Sequence, residues 1–156
     1  MALFLSTHEN KIDKKGRVSV PAAFRAELSE ESFQGVVLFR SNVHSCLEGF
    51  AWSYMQEIGA RLDNFDLFSA EQDDLATSIF GTAVQLSMDG DGRIILPQDL
   101  LGFAALEEKA AFVGMGSKFQ VWSPDAFASR RKVARQSVQS KGMTIPKGDM
   151  KDGGAK

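Results

Sequence analysis

Two short runs in the chain carry side chains whose types and spacing suit recognition of an anion. The first is Asp13-Lys14-Lys15-Gly16-Arg17 and the second is Asp89-Gly90-Asp91-Gly92-Arg93. In each, an aspartate stands four residues before an arginine, with a glycine directly ahead of the arginine. Asp-x-x-Gly between extended segments is a turn: the carboxylate bonds backbone amides just ahead, and glycine takes a positive φ without steric cost. Across such a turn Asp13 can hold the Arg17 guanidinium in one orientation. The planar fork of Arg17 then suits the O6 and N7 acceptors of guanine, while Lys14 and Lys15 act as point charges on phosphates. Lys11 precedes the turn and Arg25 follows it on the next short helix. The expected DNA-binding set is Lys11, Lys14, Lys15, Arg17 and Arg25, with Asp13 and Gly16 organising the turn. In the second run Gly90 and Asp91 replace the two lysines, and Leu101 stands where the first has Arg25. Asp89, Gly92 and Arg93 are therefore read as a structural copy of the motif. The plain alternative for both runs is a turn with a solvated charged face.

The elements that must position these turns repeat along the chain. Asp13, Gly16, Arg17 and Pro21 meet Asp89, Gly92, Arg93 and Pro97 at a constant offset of 76, and Val18 and Val20 meet Ile94 and Leu96. Val18-Ser19-Val20 alternates as a half-buried strand does. Pro21 and Pro97 suit the first turn of a helix, where the missing N–H costs nothing. Amphipathic stretches follow at Ala22 to Leu28 and Gln98 to Leu106, then apolar strands at Gly35 to Phe39 and Ala110 to Val113. Second strands follow around Cys46-Leu47 and over Phe119 to Trp122. Ser123-Pro124 opens a last helix, with Phe127, Arg131 and Ala134 on one side. Between the copies, Phe50, Tyr54, Ile58 and Leu62 recur at helical spacing, and Ser69-Ala70-Glu71-Gln72 reads as a capping box before Leu75, Ile79 and Phe80. A helical pair joined by Asp63-Asn64-Phe65-Asp66 is expected. The boundaries expected are a first repeat over 4–52, a helical connector over 53–82, a second repeat over 83–128, a helix end over 129–136 and a disordered tail over 137–156. Each half of about 50 residues buries little core alone, because small domains bury a smaller share of their surface. The fold expected is α+β, mainly β: a pseudo-twofold β-barrel of two interleaved repeats with peripheral helices.

Composition narrows the function. The chain has 156 residues, of which 44% are hydrophobic and 24% charged, as in an ordinary globular protein. Its apolar runs are far shorter than the roughly 20 residues that span a bilayer. The opening Met1 to Glu9 lacks the basic and apolar regions of a secretory leader. Cys46 is the only cysteine, so no internal disulfide forms, and a cytoplasmic setting is expected. The formal net charge of −2 hides an uneven distribution. Residues 41–129 hold 4 basic and 13 acidic side chains, whereas 130–156 hold 8 basic and 2 acidic. Such segregation points to an anionic partner. Catalysis finds little support. His8, His44 and Cys46 do not make a metal-ligand set, and no nucleophile elbow is present. Gly90-Asp91-Gly92 and Gly114-Met115-Gly116 lack the third glycine of a dinucleotide site. A calcium loop counted from Asp89 would need glutamate where Leu100 stands. No enzyme activity, metal, cofactor or small-molecule substrate is expected.

At these residues the sequence resembles the MraZ family of bacterial transcriptional regulators. The features that carry the resemblance are the opening His8 to Pro21 and the second Met88-Asp89-Gly90-Asp91-Gly92-Arg93 followed by Leu96-Pro97. The family signature is Asp-x-x-x-Arg once in each half, and both are present. The resemblance covers about Phe4 to Phe127, and nothing carries over to the tail after about 137. It implies two intertwined SpoVT-AbrB-type repeats in a swapped-hairpin barrel. It implies ring oligomers that bind tandem repeats in double-stranded promoter DNA. It further implies repression of the cell-division and cell-wall gene cluster that begins with the regulator's own gene, and a place in the cytoplasm at the nucleoid. The competing readings are an AbrB-like protein-interaction module of antitoxin type, and a ring scaffold without specific DNA binding. The stretch 50–81 speaks against an antitoxin, which carries a single short repeat.

Overall fold

The computed structural model describes residues 2–148. The first copy of the repeat runs β1 (Thr7–Lys11), β2 (Arg17–Ser19), α1 (Ala22–Leu28), β3 (Gly35–Arg40) and β4 (Leu47–Phe50). The second runs β5 (Val84–Ser87), β6 (Arg93–Ile95), α4 (Gln98–Phe103), β7 (Lys109–Gly114) and β8 (Phe119–Trp122). Between them lie α2 (Trp52–Leu62) and α3 (Ala70–Ile79). A second compact unit begins at Asp125. Its described residues, 125–148, are those of α5 (Pro124–Lys141) after its first residue, followed by 142–148 without regular strand or helix. The helix therefore runs past 136, where its end was expected; Gly142, with φ +61°, follows it. Of the expected tail, 149–156 lie outside the described residues.

The strands pair between copies. One sheet has the order β1-β7-β8-β4-β3-β5, and β2 and β6 form a separate ribbon. All the pairings are antiparallel. Exchanging the corresponding strands of the two copies reverses the sheet order and leaves it unchanged. Equivalent residues meet at the pseudo-twofold: Val18 pairs Ile94 in the ribbon, and Glu48 pairs Gln120 between β4 and β8. Glu48 is buried there, and its carboxylate accepts from Lys118 Nζ at 2.8 Å and from Gln120 Nε2 at 3.2 Å. Gln120 Oε1 in turn accepts from Trp122 Nε1 at 2.9 Å. A buried carboxylate costs free energy unless it is paired in this way.

The barrel expected from sequence does not close. The six-stranded ladder ends at two edges, β1 and β5; between β1 and the ribbon strand β2 there is no continuous ladder, but an isolated Ile12–Val18 bridge and a bond from Asn10 Nδ2 to Ser19 O at 2.7 Å. The physical reason lies in β2 and β6, which are three residues each and spend their ladder on one another. Closure comes from packing instead. Val18, Val20, Ile94 and Leu96 of the ribbon join Phe24, Leu28 and Leu100 of the short helices in one core with Val36, Leu38, Leu47, Phe112, Phe119 and Val121 of the sheet. Phe24 sits at its centre, in edge contact with Phe4, Phe112 and Phe119. A smaller cluster, Val37, Phe39, Phe50 and Met55, lies between the sheet and α2.

Two local expectations shift. Pro21 and Pro97 occupy the N-cap positions of α1 and α4, in extended conformation, instead of the first helical turn. The helical pair forms on either side of 63–69, and Ser69 Oγ accepts from the Gln72 backbone N–H at 3.0 Å as a cap. However, α3 buries none of its residues, and Phe80 stays 40% exposed.

The interleaving has a direct consequence. Cutting the chain within 63–68 leaves fragments tied by the β1–β7, β3–β5 and β2–β6 ladders. The nicked protein should sediment as one particle under native conditions and separate only in denaturant. Separation into two folded halves in native buffer would contradict the pairing.

Candidate nucleic-acid interface

The two Asp-x-x-Gly-Arg runs build the same turn twice. Gly16 N–H donates to Asp13 O at 3.0 Å and Asp13 N–H to Arg17 O at 3.0 Å; Gly92 to Asp89 and Asp89 to Arg93 repeat both bonds at 2.9 Å. Aspartate first and glycine fourth is the favoured pattern of a type I turn. Gly16 and Gly92 have φ of +85° and +78°. A Cβ at Gly16 would come within 2.8 Å of Leu96 O, and one at Gly92 would run into the Arg25 side chain. The positive φ calls for glycine in both turns, and at Gly16 the close approach to the Leu96 carbonyl calls for it as well.

Each aspartate then organises its arginine. Asp13 Oδ1 accepts from the Lys15 and Arg17 backbone amides at 2.9 Å each, and Oδ2 accepts from Arg17 Nε at 2.6 Å. Asp89 does the same with the amides of Asp91 and Arg93, and takes Arg93 Nε at 3.0 Å. The backbone N–H of Arg17 is the main reason that the Asp13 carboxyl lies below its ordinary value of 3.8, assisted by the guanidinium and the Lys15 amide. Asp89 is lowered likewise, first by the Arg93 amide. Exposed ion pairs contribute little to stability. What this clasp supplies is orientation: with Nε held, both terminal amino groups of Arg17 are left without a partner among the described residues. Arg93 differs, because its Nη2 is also engaged by Asp91 at 3.2 Å.

The ribbon sets where these groups point. Arg17 pairs Ile95 and Ser19 pairs Arg93, so all four share one face, opposite the buried Val18 and Ile94. The two arginines therefore lie diagonally on the outer face of a two-stranded ribbon, and Ile95 between them is 58% exposed. Lys14 and Lys15 are the exposed central residues of the first turn. Lys11 is exposed at the end of β1 and lies opposite Lys109 of β7. Two like charges placed across a ladder repel one another, which an anion between them would relieve. Lys109 was not among the residues expected from sequence. Nothing local marks it, since only the β1–β7 register brings it to the basic end.

Arg25 is the sequence-selected residue that the structure puts elsewhere. Its Nη1 donates to Val20 O at 2.6 Å, and its side chain lies over Gly92 of the second turn. Val20 N–H donates to Gly92 O, whereas Leu96 N–H donates to Gly16 O, so the two turns occupy opposite ends of the antiparallel ribbon. About 13 Å of strand separates Gly16 from Val20, at roughly 3.3 Å per residue. Arg25 thus joins a depression lined by Ser29, Gln34, Asp89 and Asp91, away from Lys14 and Lys15. Its counterpart Leu101 packs beside Gly16. Among the described residues no cluster of His, Cys, Asp and Glu gathers as a metal site, and no helix is long and apolar enough to cross a membrane.

Because both carboxyls are lowered by contacts made only in the folded turns, their stabilising effect is complete above 3.8 and fades as pH falls through the lowered values. Side-chain carboxyl NMR should find Asp13 and Asp89 titrating below 3.8 in the folded chain, and Asp13→Asn should loosen the Lys15 and Arg17 amides to hydrogen exchange. Titration at or above 3.8 would rule the clasp out in solution.

Comparisons with known proteins match both halves of the chain. A family profile described as "MraZ protein, putative antitoxin-like" matches residues 3–76 and again 79–141. A protein of Gluconobacter oxydans (strain 621H) named "Transcriptional regulator MraZ" is 43% identical over 143 residues, 90% of this chain and 87% of its own length. A protein of the same name from Rickettsia akari (strain Hartford) is 43% identical over 145 residues, 93% of this chain and 97% of its own. With two repeats matched and relatives aligned along most of their length, the chain belongs to the MraZ family of transcriptional regulators.

Proposed function

We propose that the protein binds double-stranded DNA with sequence preference through the basic end of its β-ribbon, as a regulator of transcription. The observation that carries this reading is Arg17: clasped at Nε by Asp13, half-buried, and set on a two-stranded ribbon near Lys14, Lys15 and Lys11. A ribbon of this width enters the major groove, about 12 Å across, and a held guanidinium there can pair with guanine. Lys11, Lys14, Lys15 and, from across the ladder, Lys109 would engage phosphates. The acidic second turn, with Asp89 and Asp91 around Arg93, would be repelled by phosphate; Arg93 is assigned to the scaffold. Arg25 is reassigned from direct contact to holding the second turn in place.

The exchange of strands between copies fits the swapped-hairpin plan of AbrB-like proteins, here as an open sheet with a capping ribbon. In this reading the partner DNA is a set of tandem repeats in the promoter of the cell-division and cell-wall gene cluster. The protein represses its own operon in the cytoplasm, at the nucleoid. One protomer brings only a few positive groups, so a single contact would be weak and sensitive to salt. A homo-oligomeric ring that presents several ribbons to spaced repeats raises affinity through effective concentration. A second reading, a protein-interaction module of antitoxin type, draws on the words of the family description and on the basic α5.

Substitution separates the two. Arg17→Ala should keep fold and assembly and lose about 1–3 kcal/mol of discrimination between operator and unrelated DNA. Lys14→Ala and Lys15→Ala should weaken binding to all sequences, each reducing the slope of log K against log salt by about 0.9. Arg93→Ala should leave discrimination in place. Anisotropy titrations in which Arg17→Ala binds and discriminates as the parent does would defeat the DNA-reading role and favour the interaction module.

A further inference from the structure

Two surfaces, one on each compact unit, are complementary in charge. The first is the tip between α2 and α3. There Leu67 is 72% exposed and Phe68 92%, with Phe65 beside them lining a depression of about 350 Å³ together with Leu62, Asp66 and Gln72. From Asp63 to Asp74 the chain carries five carboxylates (Asp63, Asp66, Glu71, Asp73 and Asp74) and no lysine or arginine. An apolar tip of this kind is costly on a surface facing only water and marks a contact site. Its acidity excludes DNA as the occupant.

The second surface is α5. It is 18 residues long and buries none of them. It holds Arg130, Arg131, Lys132, Arg135 and Lys141 against the single acid Asp125. Arg131 and Arg135 are four apart, a like-charge spacing that destabilises a helix on its own. A helix draws most of its stability from burying one face, and none of the residues of α5 is fully buried. Val133 and Val138 lie exposed among these basic residues, and the arginine and lysine stems add apolar surface.

We propose that the acidic, apolar α2–α3 tip of one copy docks on the basic α5 of a second copy. Five carboxylates against five cations, and Leu67 and Phe68 against Val133, Val138 and the aliphatic stems, complement each other in sign and in apolar character. Every copy carries both surfaces on different elements, so the contact is heterologous. Repeated head to tail, such contacts generate a ring where the rotation closes. The inference rests on the ring-oligomer reading above and supplies its interface.

Sedimentation velocity of the full chain, over a range of protein and salt concentrations, tests it. One variant carries Asp66→Lys with Asp73→Lys; another carries Arg131→Glu with Arg135→Glu. Each alone should retain its circular dichroism and melting behaviour yet assemble at least about tenfold more weakly, because like charges then face each other. Mixed in equal amounts, the two should recover the parent's assembly, since the reversed tip of one matches the reversed helix of the other. Phe68→Ser, at a side chain that the fold does not bury, should weaken assembly without any change of charge. Parent-like assembly by the folded single variants or by Phe68→Ser, or a mixture that fails to recover, would overturn the docking. So would an Arg131→Glu, Arg135→Glu protein that stays assembled and instead loses affinity for DNA of every sequence, which would make α5 a nucleic-acid surface. A parent chain that is monomeric at all concentrations would defeat the ring reading itself, a result distinct from failure of this interface alone.

Discussion

Neither copy of the repeat can complete its own hydrogen-bond ladder. β1 finds its partner in β7 of the other copy, β5 finds β3, and β2 and β6 have only each other. The constraint comes from strands too short and halves too small to bury a core alone. It fixes the rest: the palindromic sheet order, the core shared by ribbon and sheet, and the meeting of equivalent residues at Val18–Ile94 and Glu48–Gln120. It also means that the two turns are presented by one rigid ribbon and not by two loops.

On that symmetric scaffold the chemistry is unequal. Both turns use the same carboxylate clasp, with amide bonds of 2.9 Å in each and the guanidinium Nε held at 2.6 Å in the first and 3.0 Å in the second. Around the clasp, Lys14 and Lys15 face Gly90 and Asp91 as counterparts, and Arg25 faces Leu101. Among the described residues the first turn leaves its guanidinium without partners at two amino groups; the second ties Arg93 further to Asp91. Backbone geometry can therefore be preserved by Asp, Gly and Arg in both copies while the side chains between them decide which end attracts phosphate.

Much of this was legible from the residues. The offset of 76, the turn glycines, the strand over Phe119 to Trp122 and the helix over Ala22 to Leu28 all follow from local rules. Local rules carry no information about which copy a strand will pair with, so the open sheet capped by a ribbon was not readable. The same blindness explains Arg25 and Lys109. Arg25 is close to the first turn in sequence, but the antiparallel ribbon carries it to the second; Lys109 is remote in sequence and reaches Lys11 only through the β1–β7 register. The stripe on α3 was legible as a helix but not as one that buries nothing, since burial depends on what the fold provides opposite it.

In the proposed function the basic end of the ribbon reads base sequence and does more than attract phosphate. The most direct test is a fluorescence-anisotropy titration of the unaltered protein at two salt concentrations. The two probes are the DNA just upstream of its own gene and a scrambled fragment of the same composition. Preference for the native fragment should persist at the higher salt, because a guanidinium bound to base edges discriminates independently of counterion release. Equal binding to both fragments that collapses together as salt rises would contradict it.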